Sequence, residues 1–185
     1  MKNLAVTGYK PMELNIFNNS DKRIEFIKEA IKRRLIPLIE EGIEWILISG
    51  QAGVELWTGQ IVLDLKEEYD VKLGVIPPFM NQEQRWKEDQ QQLYQSVVSQ
   101  ADFFRPLVEK EYEGPYQFKQ KDRWLIAKSD ACLVLYDEEN KGTPIFFLQE
   151  VEKSQKKDLP VYYITSFDLE ETVREIQESS SGFME

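Results

Sequence analysis

The sequence predicts an α/β domain in three layers, with a mostly parallel sheet flanked by helices. Short apolar runs of four to six residues alternate with longer amphipathic stretches, which is the pattern of repeated β-α-β units. The apolar runs are continuous, as expected for strands that are covered on both faces of a parallel sheet. Together these two observations indicate a Rossmann-like arrangement.

The first predicted elements are a strand at residues 4–7 and a long helix at residues 19–41. The helix opens with the N-cap candidates Asn, Ser and Asp, and its apolar residues recur at helical spacing. Pro37 lies late in this stretch, so a kink or an early end is expected there. Gly42 follows as a suitable C-cap.

The later elements repeat the same alternation, and the helix at residues 82–100 is notably rich in Gln and Glu. A final helix is expected to fray into a disordered tail at residues 179–185. Residues 1–178 then form a single domain, with no interior linker. The later strands are predicted at residues 45–49, 71–76, 103–105, 131–136 and 161–164, and the later helices at 54–69, 82–100, 116–128 and 143–157.

The composition narrows the classes of function. No apolar run approaches the roughly 20 residues that span a bilayer, and the N-terminus does not resemble a signal peptide, so we expect a cytoplasmic protein without membrane insertion. The formal net charge is −10, which opposes binding to a phosphate backbone, so nucleic acid is expected to be an unlikely partner. The single cysteine, Cys132, lies in an apolar run and is expected to be buried.

The chain contains no histidine. That absence excludes Ser-His-Asp and Cys-His nucleophilic schemes, imidazole general bases and His-based zinc sites. We therefore predict no metal site in the chain itself. Any chemistry has to depend on carboxylates, Lys, Tyr, hydroxyl groups, backbone amides or an external metal.

Ligands of open parallel sheets bind at the carboxyl ends of the strands. Two loops at such positions contain glycines directly before a predicted helix, where backbone N–H groups and the helix dipole can hold an anion. The spacing matches neither GxGxxG nor GxxxxGK[ST]. The residues that these loops and the loop after the first strand contribute are Gly8, Tyr9 and Lys10, then Gly50, Gln51, Ala52 and Gly53, and finally Lys141, Gly142 and Thr143.

Four further side chains are candidates for ligand contact, and each has a structural alternative. Glu55 could contact a ribose or simply cap its helix. Trp57 could stack on a base or pack against the sheet. Trp86 could cover the mouth of the crevice or belong to the core. Arg123 could face a phosphate or form a surface ion pair.

The segments Thr7-Gly8-Tyr9-Lys10, Ser49 to Trp57, and Ser129 to Asp137 with Lys141-Gly142-Thr143 resemble the YpsA family of Firmicute bacteria. This family belongs to the SLOG superfamily of Rossmann-like proteins, alongside DprA and the LOG-type phosphoribohydrolases. The resemblance implies a pocket for a nucleotide or a derivative such as NAD or ADP-ribose, a link to bacterial cell division with a cell-division protein as a partner, and a homo-oligomer.

One departure from the LOG pattern bears on catalysis. LOG enzymes have a glutamate shortly after the Gly-Thr of the PGGxGTxxE motif, but here the next glutamate after Thr143 is Glu150. The leading hypothesis is therefore a nucleotide-binding sensor or regulator rather than an enzyme. The alternatives are a hydrolase of N-glycosidic or phosphoester bonds that uses Glu55 as its acid or base, and a protein-interaction module with a vestigial pocket.

Overall fold

A computed structural model describes residues 1–156 and 158–183 of the chain. It contains one six-stranded sheet in which every strand pairs in parallel, with the order β4-β3-β2-β1-β5-β6. The three-layer, Rossmann-like prediction is confirmed. The strands are β1 (Asn3–Thr7), β2 (Trp45–Ile48), β3 (Lys72–Val75), β4 (Phe103–Phe104), β5 (Ala131–Leu135) and β6 (Val161–Ile164).

Six α-helices and one short 3-10 helix connect these strands. The 3-10 helix, Pro11–Leu14, directly follows β1. The α-helices are α1 (Arg23–Glu40), α2 (Val54–Leu65), α3 (Glu88–Gln100), α4 (Tyr116–Lys128), α5 (Pro144–Lys153) and α6 (Ser166–Phe183).

The two faces of the sheet bury separate apolar clusters because side chains alternate along each strand. In β1, Leu4 and Val6 join the larger cluster with residues of α1, α2 and α3. Ala5 points to the opposite face, where it meets Leu125 of α4 and Phe147 of α5. The strands are therefore covered on both sides, as their continuous apolar runs require.

Several boundaries differ from the predictions. Helix α1 continues through Pro37 to Glu40, so the early end that Pro37 suggested does not occur. Helix α3 begins at Glu88 instead of residue 82, because the preceding segment folds into turns. Helix α5 ends at Lys153, and residue 157, the predicted end, lies outside the described residues.

The tail prediction also needs correction. Helix α6 continues to Phe183, where a disordered tail was predicted from residue 179, because the helical hydrogen-bond pattern propagates once a long helix is nucleated. The last two residues of the predicted tail, 184 and 185, lie outside the described part of the chain.

Candidate functional site

The strand order places a topological switch point between β1 and β5. From β1 the chain proceeds outward through β2 and β3 to β4, and then returns to form β5 on the other side of β1. The loops that follow β1, β2 and β5 consequently meet at one edge of the sheet, where ligands of open α/β sheets bind.

The side chain of Tyr9 fills the crevice at this switch point. It is 1% exposed, and its hydroxyl accepts the N–H of Asp137 at 2.7 Å and donates to the carbonyl of Asn140. Burial is the main reason that the pKa of this phenol is raised. Tyr9 therefore joins the ends of β1 and β5, and its ring is not available to a ligand.

The N-terminus of α5 is occupied by a carboxylate of the chain itself. Glu13, in the 3-10 helix, accepts the N–H of Thr143 at 2.6 Å and the N–H of Lys10 at 2.8 Å. Gly142 has a φ of +48°, and a Cβ at this position would overlap the Glu13 carboxylate and approach the Tyr9 ring. The loop that was predicted as the second wall of a phosphate site thus binds Glu13, a residue that the sequence analysis missed.

Glu55 bonds to the ends of two strands. The residue is 1% exposed, and its carboxylate accepts the N–H and the hydroxyl of Ser49, both at 2.7 Å, and the hydroxyl of Thr7 at 2.9 Å. Glu55 is therefore better described as a structural carboxylate in the first turn of α2 than as a ligand-binding residue that contacts a ribose. These bonds also leave it poorly placed as the acid or base of a hydrolase.

A buried ion pair lies beside Glu55 and was not anticipated. The Lys121 ammonium and the Asp122 carboxylate are 2.7 Å apart, and both residues are less than 10% exposed. Burial raises the pKa of Asp122, although Lys121 opposes this. Burial by itself would lower the pKa of Lys121, but Asp122 and Glu55 raise it. The positive charge of Lys121 therefore offsets the negative charge of Glu55, which is buried at the ends of β1 and β2.

The glycine loop after β2 was predicted to hold an anion through its backbone N–H groups, and part of the loop has the geometry for this. Gly53 has a φ of +98°, and any Cβ there would overlap the carbonyl oxygen of Tyr9, so the glycine is required by the close approach of the two loops. The side-chain amide of Gln51 donates to the carbonyl of Gly8 at 3.3 Å. Within residues 1–156 and 158–183, the backbone N–H groups of Gln51 and Ala52 donate to no protein acceptor.

Gln51 and Ala52 open onto a cavity of about 420 Å³, which we call the cationic pocket. Its walls are the segment after β1, the glycine loop, and the turns before α3. Three cations line it, and none of the described acidic side chains does. The lining residues are Lys10, Pro11, Met12, Ile16, Phe17, Gln51, Ala52, Arg85, Trp86, Lys87 and Gln90.

The two tryptophan candidates differ in their surroundings: Trp86 lines the cationic pocket, whereas Trp57 is buried in the core. Trp86 is half-buried, lines the cationic pocket, and packs edge-on against Tyr94 with ring centroids 5.4 Å apart. Trp57 is 1% exposed and belongs to the core cluster. The stacking role predicted for Trp57 is therefore corrected, because its ring has no free face.

The remaining candidates lie away from this pocket. Arg123 pairs with the buried Glu150 at 3.4 Å and lines a separate cavity between α4 and α5, so the ion-pair alternative applies and its predicted phosphate contact is corrected. Lys141 is exposed and forms no ion pair with any residue that the structure describes. Gly50 is buried behind the pocket, with Tyr94 and Gln82 against it.

The sequence analysis missed Met12, Phe17, Arg85 and Lys87 of the cationic pocket. A signal was present: the run Arg85-Trp86-Lys87 places two cations around an aromatic residue inside a stretch dominated by Gln and Glu. Such a run is also common on solvated helix faces. Its significance emerges only when the structure places it opposite Lys10.

The fold and this edge define the class of protein: a Rossmann-like α/β domain with a pocket beside its switch point. A family model described as the YspA SLOG family, with the name YpsA, matches residues 4–169. The chain therefore belongs to the YpsA family of SLOG proteins, as its motifs predicted.

Relatives support the same assignment over nearly the full chain. The chain is 52% identical to the UPF0398 protein YpsA of Bacillus subtilis over 177 residues, which cover 95% of this chain and 98% of the relative. It is also 52% identical to a UPF0398 protein of Oceanobacillus iheyensis, with 96% of both chains covered.

A solved structure shows the same fold at low sequence identity. DNA processing protein A from Helicobacter pylori, a protein described for its single-stranded DNA binding mode, has a TM-score of 0.57 and 14% identity, with 96% of this chain and 81% of that chain covered. The prediction that nucleic acid is an unlikely partner was wrong. Net charge does not decide the matter when a neighbour of this fold binds a single strand.

The described residues also bear on membrane insertion and on metal binding. No helix among them has the length and apolar character needed to cross a membrane. Likewise, within that part of the chain, His, Cys, Asp and Glu side chains form no group of three or more that could hold a metal ion.

Proposed function

We propose that the cationic pocket binds the phosphate groups of a nucleotide-type ligand. The observation that carries this proposal is the convergence of Lys10, Arg85 and Lys87 on one cavity of a chain whose net charge is −10. None of the three forms an ion pair with a described residue. Uncompensated cations around a concave surface attract anions, and Arg binds phosphate in a bidentate manner.

The walls of the pocket suit the rest of a nucleotide. Trp86 is half-buried and its position is supported by Tyr94, so it offers a firm surface for a base or sugar. The free N–H groups of Gln51 and Ala52 supply further donors for phosphate oxygens. The volume of about 420 Å³ lies within the range of small-molecule sites.

Calorimetric titration with AMP, ADP-ribose and NAD tests this proposal. We expect saturable binding, with the affinity of the phosphate-bearing ligands lowered about tenfold or more by Arg85→Ala, because a charge-assisted hydrogen bond is lost. Lys119→Ala is the matched control, since this exposed cation lies on α4, on the opposite face of the sheet. No binding by folded protein, or equal losses in both variants, would contradict the proposal.

A single strand is the second candidate ligand, and a specific observation favours it. Met12 and Phe17, which line the pocket, are 70% and 60% exposed, so their apolar surface remains open to solvent. Exposed apolar and aromatic side chains next to cations are typical of single-strand binding. The likeness of fold to DNA processing protein A is consistent with this candidate.

Titration with oligothymidylate at several salt concentrations separates the two candidates. If the strand is the ligand, it binds more tightly than AMP, and Lys87→Ala reduces the slope of log K against log salt by about one. If a nucleotide is the ligand, AMP or ADP-ribose binds more tightly, and lengthening the strand gains nothing.

We propose that the protein acts as a regulator. It binds the ligand as a sensor, and a partner protein recognises the ligand-bound form. This proposal rests on the family resemblance, which also implies the link to bacterial cell division and a cytoplasmic location. The buried, fully bonded Glu55 favours a regulator over a hydrolase.

A further inference from the structure

A second cavity, of about 660 Å³, lies on the other side of the turns that separate β3 from α3. Its walls come from the carboxyl end of β3, from α3 and from the edge strand β4. Among its lining residues are Phe79, Glu83, Tyr94, Phe104 and Glu109, and we call it the aromatic pocket. It shares no lining residue with the cationic pocket.

The chemistry of the aromatic pocket is opposite to that of its neighbour. Tyr94 and Phe104 lie nearly perpendicular, with centroids 6.5 Å apart, and Phe104 is 43% exposed, so much of its side chain is open to a ligand. Two carboxylates, Glu83 and Glu109, line the cavity, and no Lys or Arg is found among its described lining residues. Glu109 pairs with Arg105 at 3.8 Å, so Glu83 is the carboxylate of the pocket that has no cationic partner among the described residues. The pocket therefore favours a planar group that donates hydrogen bonds or carries positive charge.

One carboxylate oxygen in this pocket lacks a partner. The Oε2 atom of Glu83 has almost no accessible surface and makes no hydrogen bond to any residue that the structure describes. The carboxylate lies near enough to Tyr94 to contribute, after burial, to raising the pKa of that phenol to about 12. A buried polar atom without a partner costs free energy in the folded protein, so it points to a ligand group that supplies the missing donor.

We propose that the aromatic pocket is a base site, and that it selects guanine. The Watson–Crick edge of guanine presents two adjacent N–H donors, from N1 and the 2-amino group, which match the two oxygens of a carboxylate. Glu83 makes this contact when its carboxylate turns so that Oε2, the buried oxygen, also faces the cavity. Adenine presents an acceptor, N1, beside its amino group and would set that acceptor against the carboxylate. The exposed part of Phe104 provides the stacking surface that any base can use.

This inference does not depend on the proposed phosphate site, because a nucleoside has no phosphate. Titration of the folded protein with guanosine and with adenosine, followed by NMR shift changes of the Tyr94 and Phe104 rings, tests it directly. We expect guanosine to bind about tenfold or more tightly than adenosine, since a matched edge discriminates by that order. Glu83→Gln should remove this preference, because an amide oxygen can pair with only one of the donors.

Two variants make the result specific. Glu88→Gln makes the same chemical change on an exposed residue outside the pocket and should leave guanosine binding unchanged. Phe104→Ala shortens an exposed side chain and should weaken both nucleosides alike. Equal affinity for guanosine and adenosine, persistence of the preference in Glu83→Gln, or no shift change of the two rings would overturn the proposal.

Discussion

Two glutamates show how one side chain can take the place that a ligand would occupy. Glu13 lies at the N-terminus of α5 and accepts the backbone N–H of Thr143, and Glu55 lies in the first turn of α2 and accepts the backbone N–H of Ser49 and the hydroxyl of Thr7. A carboxylate is stabilised there by the helix dipole and the unpaired N–H groups, as a phosphate would be. Glycines before a helix therefore identify an anion position without revealing which anion fills it.

We expect Glu55→Ala to lower the free energy of unfolding by about 3 kcal/mol, because the donors of Ser49 and Thr7 lose their buried acceptor and Lys121 loses a neighbouring negative charge. Urea denaturation followed by circular dichroism measures the change. The exposed Glu67→Ala is the control and should stay within about 0.5 kcal/mol of the parent. Similar losses in both variants would show that the buried bonds contribute little.

At the scale of elements, the segment before α3 decides where the pockets form. The sequence predicted one helix from residue 82, but Asn81 has a φ of +60° and the Gln82 amide donates to the carbonyl of Ser49 at 2.7 Å. The chain therefore turns before the helix starts at Glu88. These turns form the wall between the cationic and aromatic pockets.

The carboxylate of Asp130 connects the beginning of β5 to the beginning of the neighbouring strand β1 through hydrogen bonds. Asp130, just before β5, accepts the N–H groups of Lys2 and Asn3 at 2.8 and 2.9 Å. The bond to Asn3, followed by that to Lys2, lowers the pKa of Asp130 below its ordinary value of 3.8. The sequence analysis had no means to connect residues so far apart in the chain.

This lowered pKa predicts a pH-dependent contribution to stability. The folded-state pKa lies below the unfolded value, so the stabilisation is present above about pH 4 and is lost as the pH falls through the folded pKa. Asp130→Asn should thus reduce the free energy of unfolding at pH 7 by no more than about 1 kcal/mol, because solvent screens the site. Denaturation curves at pH 7 and pH 2.5 test this, and an equal difference at both values would contradict it.

At the scale of the whole molecule, the sheet order places the loops after β1, β2 and β5 at one edge. The net charge of −10 is an average that hides three cations around one cavity. The net charge was therefore a poor basis for judging nucleic acid an unlikely partner. Binding depends on the local field at a pocket more than on the sum over the surface.

The centre of the sheet provides a probe of global opening. Cys132 lies in β5 with no exposed surface, and burial raises the pKa of its thiol to about 12. At pH 8 the folded protein should react with Ellman's reagent only as fast as it unfolds, while protein unfolded in urea should release one equivalent at once. Rapid reaction of the native protein would show that β5 opens locally.

The sequence by itself determined the class of fold, most strand and helix positions, and the edge of the sheet where a ligand could bind. These features follow from local patterns, since continuous apolar runs form buried parallel strands and glycines mark loops before helices. The tertiary structure decided which residues share a site. Tyr9 and Glu13 fill the switch point, Trp57 belongs to the core, and Lys10 meets Arg85 and Lys87 across more than 70 residues of sequence. Such meetings depend on how separate loops pack together, and no local periodicity encodes that packing.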